Sequence, residues 1–224
     1  MAETLSERAY KNIRRELISG GLKPGEQLVS RNLAERYGVS LAPVREAIGR
    51  LAAEGLIDHV PGSGSFVRTI SKQDLYELFV LREALETCAA GEAAMNAHPA
   101  EIEELEYLCH KFDRLAAKVT DSPNQDLMDE WVDAEERFHG LLFEATKNSL
   151  LQRVANMYRS QIQVFEVQRT RPLILTPEIA ESTVIGHREI AEAVRQRDAE
   201  SARSRMSHHI RQGRQTIMSF FANQ

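Results

Sequence analysis

Between Ser40 and Ile70 the apolar pattern changes period, and that change constrains what the chain can fold into. In SLAPVREAIGRLAAE, Val44, Ile48 and Leu51 recur at helical spacing; Ser40 is placed to cap the helix and Gly55 to stop it. LIDHV and SFVRTI then cluster apolar residues in strand fashion, and PGSG between them reads as a hairpin turn. Upstream, Leu5, Ala9, Ile13, Leu17 and Ile18 share one face of a helix that stops at Gly20-Gly21. LKPGEQL forms a turn around Pro24-Gly25, and Ser30 is placed to cap RNLAERYG, a short helix closed by Gly38. The order helix, helix, helix, two-stranded wing predicts a winged helix-turn-helix domain over residues 1–70.

On the third helix the face opposite the apolar stripe carries Ala42, Arg45, Glu46 and Gly49. Small residues let a helix sit deep in a groove, and the N-terminal residues of a recognition helix are those that reach base edges. Ser40 and the open backbone amides of the first turn suit a phosphate oxygen. Gly62 and Gly64 let the hairpin backbone come close to a duplex while the helix occupies the major groove. The plainer alternative has Arg45 solvated and the hairpin closing a small core. The charge is uneven in the direction DNA binding requires: residues 1–70 carry ten Lys/Arg against eight Asp/Glu, and residues 71–224 carry eighteen against twenty-five.

After Ser71 the pattern is helical throughout, in six segments near 71–97, 100–119, 124–146, 149–170, 177–196 and 198–221. The breaks fall at His98-Pro99, the DSPN run at 121–124, Lys147-Asn148, Arg171-Pro172 and Asp198. The fold class is therefore mainly α, with residues 71–224 forming an all-α bundle of six to seven helices. The N-terminus lacks the apolar core of a signal peptide, and no run approaches the roughly 18 apolar residues that span a bilayer. Cys88 and Cys109 sit in helical patterns without metal-type spacing, which predicts buried free thiols in a cytoplasmic protein.

The bundle carries a set of histidines. Glu135 and His139 are four apart and so share a helical face, His187 opens GHREIAEAVRQRDAESARSRMSHHI, and His209 lies on the last helix. One carboxylate and three imidazoles make a site for Zn²⁺, Ni²⁺ or Mn²⁺, with waters completing the shell. Each histidine taken alone is as readily a packed or surface residue. Arg82 falls within an apolar stripe of Leu75, Leu78, Phe79, Leu85 and Ala89, where a guanidinium needs a partner. Glu86, one turn on, would supply it; alternatively Arg82 clamps an effector carboxylate.

LVSRNLAERYGVSLAPVREAIGRLAAEGLI with its glycine wing resembles the signature of GntR-type bacterial repressors over residues 5–70. The resemblance implies Arg31, Ser40, Arg45 and Gly62 as DNA contacts. The chain departs from the common pattern at Leu41, where many members have arginine, and at Ala42, where threonine is usual. The operator is then expected to differ, with Leu41 and Ala42 placed to meet a thymine methyl. Most of 71–221 resembles the FCD effector domain of the fatty-acid-regulator branch, through Phe138-His139…Asn148 and the GHREIAEAVRQRDAESARSRMSHH segment. Metal-containing members use an aspartate and three histidines at these spacings, which implies Glu135, His139, His187 and His209 as ligands, Glu135 being one methylene longer than the usual aspartate. His208 is expected at the surface or behind the ligands. Tyr158 and Gln161 are candidates for the pocket lining beside Arg82.

The resulting expectation is a homodimeric transcription regulator, a repressor that binds a short palindromic double-stranded operator and answers to a small carboxylate effector at a metal. Two rivals stand beside it: a regulator that senses the metal directly, and a metal-dependent hydrolase, for which no general base is evident among the neighbours Asp133 and Glu136.

Overall fold

A computed structural model describes residues 3–120, 123–169 and 175–222. Helix α1 (Leu5–Ser19) starts where the Thr4 hydroxyl accepts from the Glu7 amide, and ends on Gly20 at φ 75°, the left-handed conformation that closes helices. Helices α2 (Ser30–Tyr37) and α3 (Leu41–Ala53) follow. Ser30 proves to be the first helical residue, with Val29 at the cap position and no side-chain bond there. Ala9, Ile13 and Leu17 of α1 pack with Leu33 of α2 and Val44, Ala47 and Leu51 of α3 in one core, whereas Leu5 stays exposed. Tyr10 Oη donates to the Glu54 carboxylate at 2.9 Å, tying α1 to the end of α3.

Strands β1 (Ile57–Val60) and β2 (Gly64–Val67) are antiparallel, with Ile57 opposite Val67 and Val60 opposite Gly64. Their turn bonds Ser63 N to Val60 O at 3.0 Å, with Pro61 and Gly62 (φ 76°) at its centre, the residue order of a type II turn. Residues before α2 add to the other edge of β2: Val67 N donates to Glu26 O and Leu28 N to Ser65 O, while Gln27 Nε2 donates to Ser63 O at 2.8 Å. The wing is thus held by the loop that LKPGEQL begins.

The remaining helices are α4 (Lys72–Asn96), α5 (Pro99–Ala116), α6 (Gln125–Ala145), α7 (Ser149–Arg169), α8 (Pro177–Arg195) and α9 (Ala199–Ala222), with no strand beyond the wing among the described residues. The starts of α5 to α8 are side-chain caps. His98 with Glu101 forms a reciprocal capping box on α5, and Asn124, Asn148 and Thr176 accept from first-turn amides of α6, α7 and α8. The expected break at Arg171-Pro172 and part of that at 121–124 lie outside the described residues.

The described residues fall into two compact units, within Met1–Ser71 plus Asn156–Arg171, and within Lys72–Ala155 plus Pro172–Gln224. The second half of α7 therefore groups with the winged helix. In the second unit α4 lies against α6, α8 and α9, and α5 against α6 and α8. Both cysteines are free, but only Cys109 is buried, and burial pushes its thiol up to about 11. The expectation of a buried Cys88 is corrected: it shares a helical face with Leu81, seven residues earlier, and both are exposed.

Candidate functional site

In the first unit, Val44, Ala47, Ile48 and Leu51 turn α3 inward, which leaves Ala42, Arg45, Glu46 and Gly49 exposed. Ser40 holds the cap position without a side-chain bond to the helix, so capping does not consume its hydroxyl. Arg31 on the first turn of α2 is exposed, as are Leu41 and Gly62. Arg50, one turn further along α3, is committed elsewhere: it pairs with Glu7 at 2.7 Å and stands 4.0 Å over the Tyr10 ring. Every residue expected to meet DNA is thus on the surface, and the neighbouring Arg50 is paired with α1.

In the second unit, Glu135 and His139 project from one face of α6 toward His187 of α8 and His209 of α9. One ligand atom from each lies within 4.8 Å of the others. Glu135 Oε2 is 3.4 Å from His139 Nε2 and 3.8 Å from His187 Nε2, so the extra methylene does not carry the oxygen away from the imidazoles. Ligands held about 2.1 Å from one ion lie at most about 4.2 Å apart. The two spacings fit that limit, and the widest in the cluster needs only a small contraction.

His187 supplies the sharper test of fit. It is fully buried, stacked on Phe138 with ring centroids 4.1 Å apart and set against Phe112, yet neither of its ring nitrogens has a hydrogen-bond partner. An orphaned buried imidazole is costly. A divalent cation among these four residues would satisfy it. Burial pushes His187 down to about 4, against the pull of Glu135, and pushes His209 well below its usual value. Both rings are therefore neutral at physiological pH, the form that ligates metal. Glu135 is held down to about 2: burial alone would raise it, and the imidazoles outweigh burial. The donor set fits the ion that the sequence implied.

Arg82 makes the expected pair with Glu86 and adds a contact to His139. Its Nε donates to Glu86 Oε1 at 2.7 Å, and its Nη2 lies 3.2 Å from His139 Nε2, at the edge of the cluster. One residue and one contact escaped the sequence reading: Gly186, and the second side of Glu86. Glu86, buried on α4, sets its other oxygen against His139 Nδ1. Gly186 makes room for a ligand, since a Cβ there would stand 2.8 Å from His209 Nδ1. The GH dipeptide was the available signal for Gly186; nothing local to the sequence signals Glu86 beyond its spacing from Arg82. Tyr158 is buried, and Gln161 is not gathered with the histidines: it belongs to the first unit, where its Nε2 donates to the carbonyl of Glu54 at 2.8 Å. His208 is exposed. No helix among the described residues is long and apolar enough to cross a membrane.

A winged helix joined to a helical unit that gathers three imidazoles and a carboxylate inside it defines a class: regulators that pair a DNA reader with an all-helical bundle. The comparisons agree. Residues 5–67 match the model of bacterial regulatory proteins of the gntR family, and residues 77–212 match the FCD domain. The chain belongs to the GntR family, in the branch that carries an FCD domain, and is a DNA-binding transcriptional regulator rather than an enzyme. Among its relatives is the HTH-type transcriptional regulator McbR of Escherichia coli K12, 33% identical over 115 residues, a match that spans 51% of this chain and 52% of McbR. The HTH-type transcriptional repressor RspR of the same organism is 25% identical over 94% of this chain and 87% of its own length. The solved structure of E. coli McbR/YncC superposes with a TM-score of 0.77 at 23% identity, covering 99% of this chain and all of that one, and shows the shared fold.

Proposed function

We propose that the chain is a cytoplasmic, homodimeric repressor that binds a short palindromic operator and is controlled by a small carboxylate effector received at a divalent metal ion in its helical unit. The convergence of Glu135, His139, His187 and His209 on one point carries this reading. These four residues would hold Zn²⁺, Ni²⁺ or Mn²⁺, and the ion would supply a positive centre for the effector's carboxylate. Arg82 brings a guanidinium to the edge of the same cluster, which favours an organic anion over a site that senses the metal alone. On the DNA side, Arg45 would read a base edge, Ser40, Arg31 and the Gly62 backbone would meet the duplex, and Leu41 and Ala42 would offer apolar contact to a thymine methyl. Two copies would place two α3 helices on half-sites related by the protein's own dyad. Functional division falls at Ser71, with residues 1–70 reading DNA and the helices beyond it serving effector binding and dimerisation. Repression is supported by the relative RspR, named a repressor. The effector acts by binding one arrangement of the dimer better than the other.

Native mass spectrometry of the protein beside its His139→Ala variant tests the reading. The expected result is a dimer with one metal per subunit, absent from the variant. A dimer that takes up neither Zn²⁺, Ni²⁺ nor Mn²⁺ overturns the metal centre, and a monomer at micromolar concentration overturns the dimer. A metal that dissociates within a physiological range, with no organic mass released beside it, turns the assignment to direct metal sensing.

A further inference from the structure

The metal reading concerns four ligands; the residue that decides whether one of them can ligate lies on a different helix. We infer that Glu86 of α4 is a positioning residue for the metal centre, fixing the His139 imidazole in the one tautomer that presents a lone pair to the cluster. The inference rests on the proposed metal site and extends it to a carboxylate outside it.

Glu86 is 2% exposed, and a buried carboxylate needs its oxygens occupied. Oε1 accepts from Arg82 Nε at 2.7 Å, and Oε2 stands against His139 Nδ1. A carboxylate oxygen only accepts, so His139 Nδ1 must carry the proton. The other side of the ring demands the same assignment. Arg82 Nη2, which can only donate, lies 3.2 Å from His139 Nε2, so Nε2 bears the lone pair. Two neighbours from α4, one turn apart, therefore impose a single tautomer from opposite ends of the imidazole. That tautomer aims its lone pair where Glu135 Oε2 also points, 3.4 Å away. In the metal-free protein the Arg82 N–H serves this one lone pair; a metal ion among the four ligands would take it over, with Arg82 Nη2 turning aside. A carboxylate behind a ligating histidine orients the ring and strengthens its donor nitrogen, and removing such a partner commonly costs about 10–100-fold in metal affinity.

Glu86→Gln separates this role from simple space-filling, because Arg82 fixes which way the new amide turns. The amide oxygen must face the Arg82 N–H, which leaves the –NH₂ group against His139 Nδ1. That group donates, so the ring is caught between two donors, the new –NH₂ at Nδ1 and Arg82 Nη2 at Nε2, and the tautomer that presents its lone pair to the cluster loses its support. The probe is Zn²⁺ alone, titrated against a chromogenic chelator in wild type, Glu86→Gln and Glu86→Asp. Expected is a loss of about 10–100-fold in Zn²⁺ affinity for Glu86→Gln, partial recovery in Glu86→Asp, and helical content unchanged in both. Equal affinity in wild type and Glu86→Gln overturns the inference while leaving the metal centre standing. A wild type that binds no Zn²⁺ sinks the metal reading itself. Should Glu86→Gln not fold, long-range ¹H–¹⁵N correlation of the metal-free wild type at alkaline pH decides directly: a neutral His139 protonated at Nδ1 supports the assignment, and one protonated at Nε2 overturns it.

Discussion

At the scale of single residues, the proposed metal centre depends on a side chain that is missing. Gly186 precedes the ligand His187 and lies within α8, where glycine costs about 1 kcal/mol relative to alanine. The position tolerates that cost because a Cβ would press on His209 Nδ1 at 2.8 Å. Gly186→Ala therefore pulls two observables apart. Helix propensity favours the alanine and the contact with His209 opposes it, so the melting temperature of the metal-free protein should change little, while the displaced His209 ring weakens Zn²⁺ binding by about tenfold or more. Thermal melts and a Zn²⁺ competition titration on the same preparation check both. Unchanged Zn²⁺ affinity would show that His209 retains its place despite the crowding, or does not ligate. The sequence showed which residues could ligate but not what clears space for them, because that information lies in the distance between α8 and α9 and not in the spacing along either.

At the scale of elements, much was legible. Most helices carry an apolar stripe at helical period, α4 being buried on several sides, and the breaks coincide with caps such as His98, Asn124 and Asn148 whose side chains take up first-turn amides. What stayed hidden was pairing between distant elements. Gln161 was expected to line a pocket with Arg82, since both sit on helices of the second region; its side chain instead donates to the carbonyl of Glu54, just past the end of α3. Periodicity tells which face of a helix is buried and is silent about what buries it. The recognition helix is the opposite case, since its function rides on the face the core leaves out. Arg45 is exposed and contributes to no core, so Arg45→Ala should leave stability within about 0.5 kcal/mol. If the residue reads a base, the variant should lose about 1–3 kcal/mol of binding to the selected operator. Fluorescence anisotropy with the operator and a scrambled duplex, at one fixed salt concentration, distinguishes the outcomes. Equal loss on both duplexes would make Arg45 a phosphate contact, and no loss on either would take it off the interface.

At the scale of the whole molecule, the four proposed ligands come from three helices, α6, α8 and α9, so metal affinity and folding would be linked. Unfolding disperses His187 and His209 and leaves only the Glu135–His139 pair close in sequence, so the unfolded chain holds the ion far more weakly. Metal should then stabilise the folded form by about 2.7 kcal/mol when free Zn²⁺ stands at a hundred times the dissociation constant, rising with each further increase in the ion. The same addition should leave His139→Ala near its metal-free stability. Denaturant titrations at buffered free Zn²⁺ measure this without reference to DNA or effector. A midpoint that climbs with Zn²⁺ in wild type and stays flat in the variant places the ion inside the folded bundle, at the cluster. A midpoint that climbs equally in both would locate the bound metal elsewhere, at exposed carboxylates or at His208, and would leave the His187 nitrogens to be satisfied by something other than a metal.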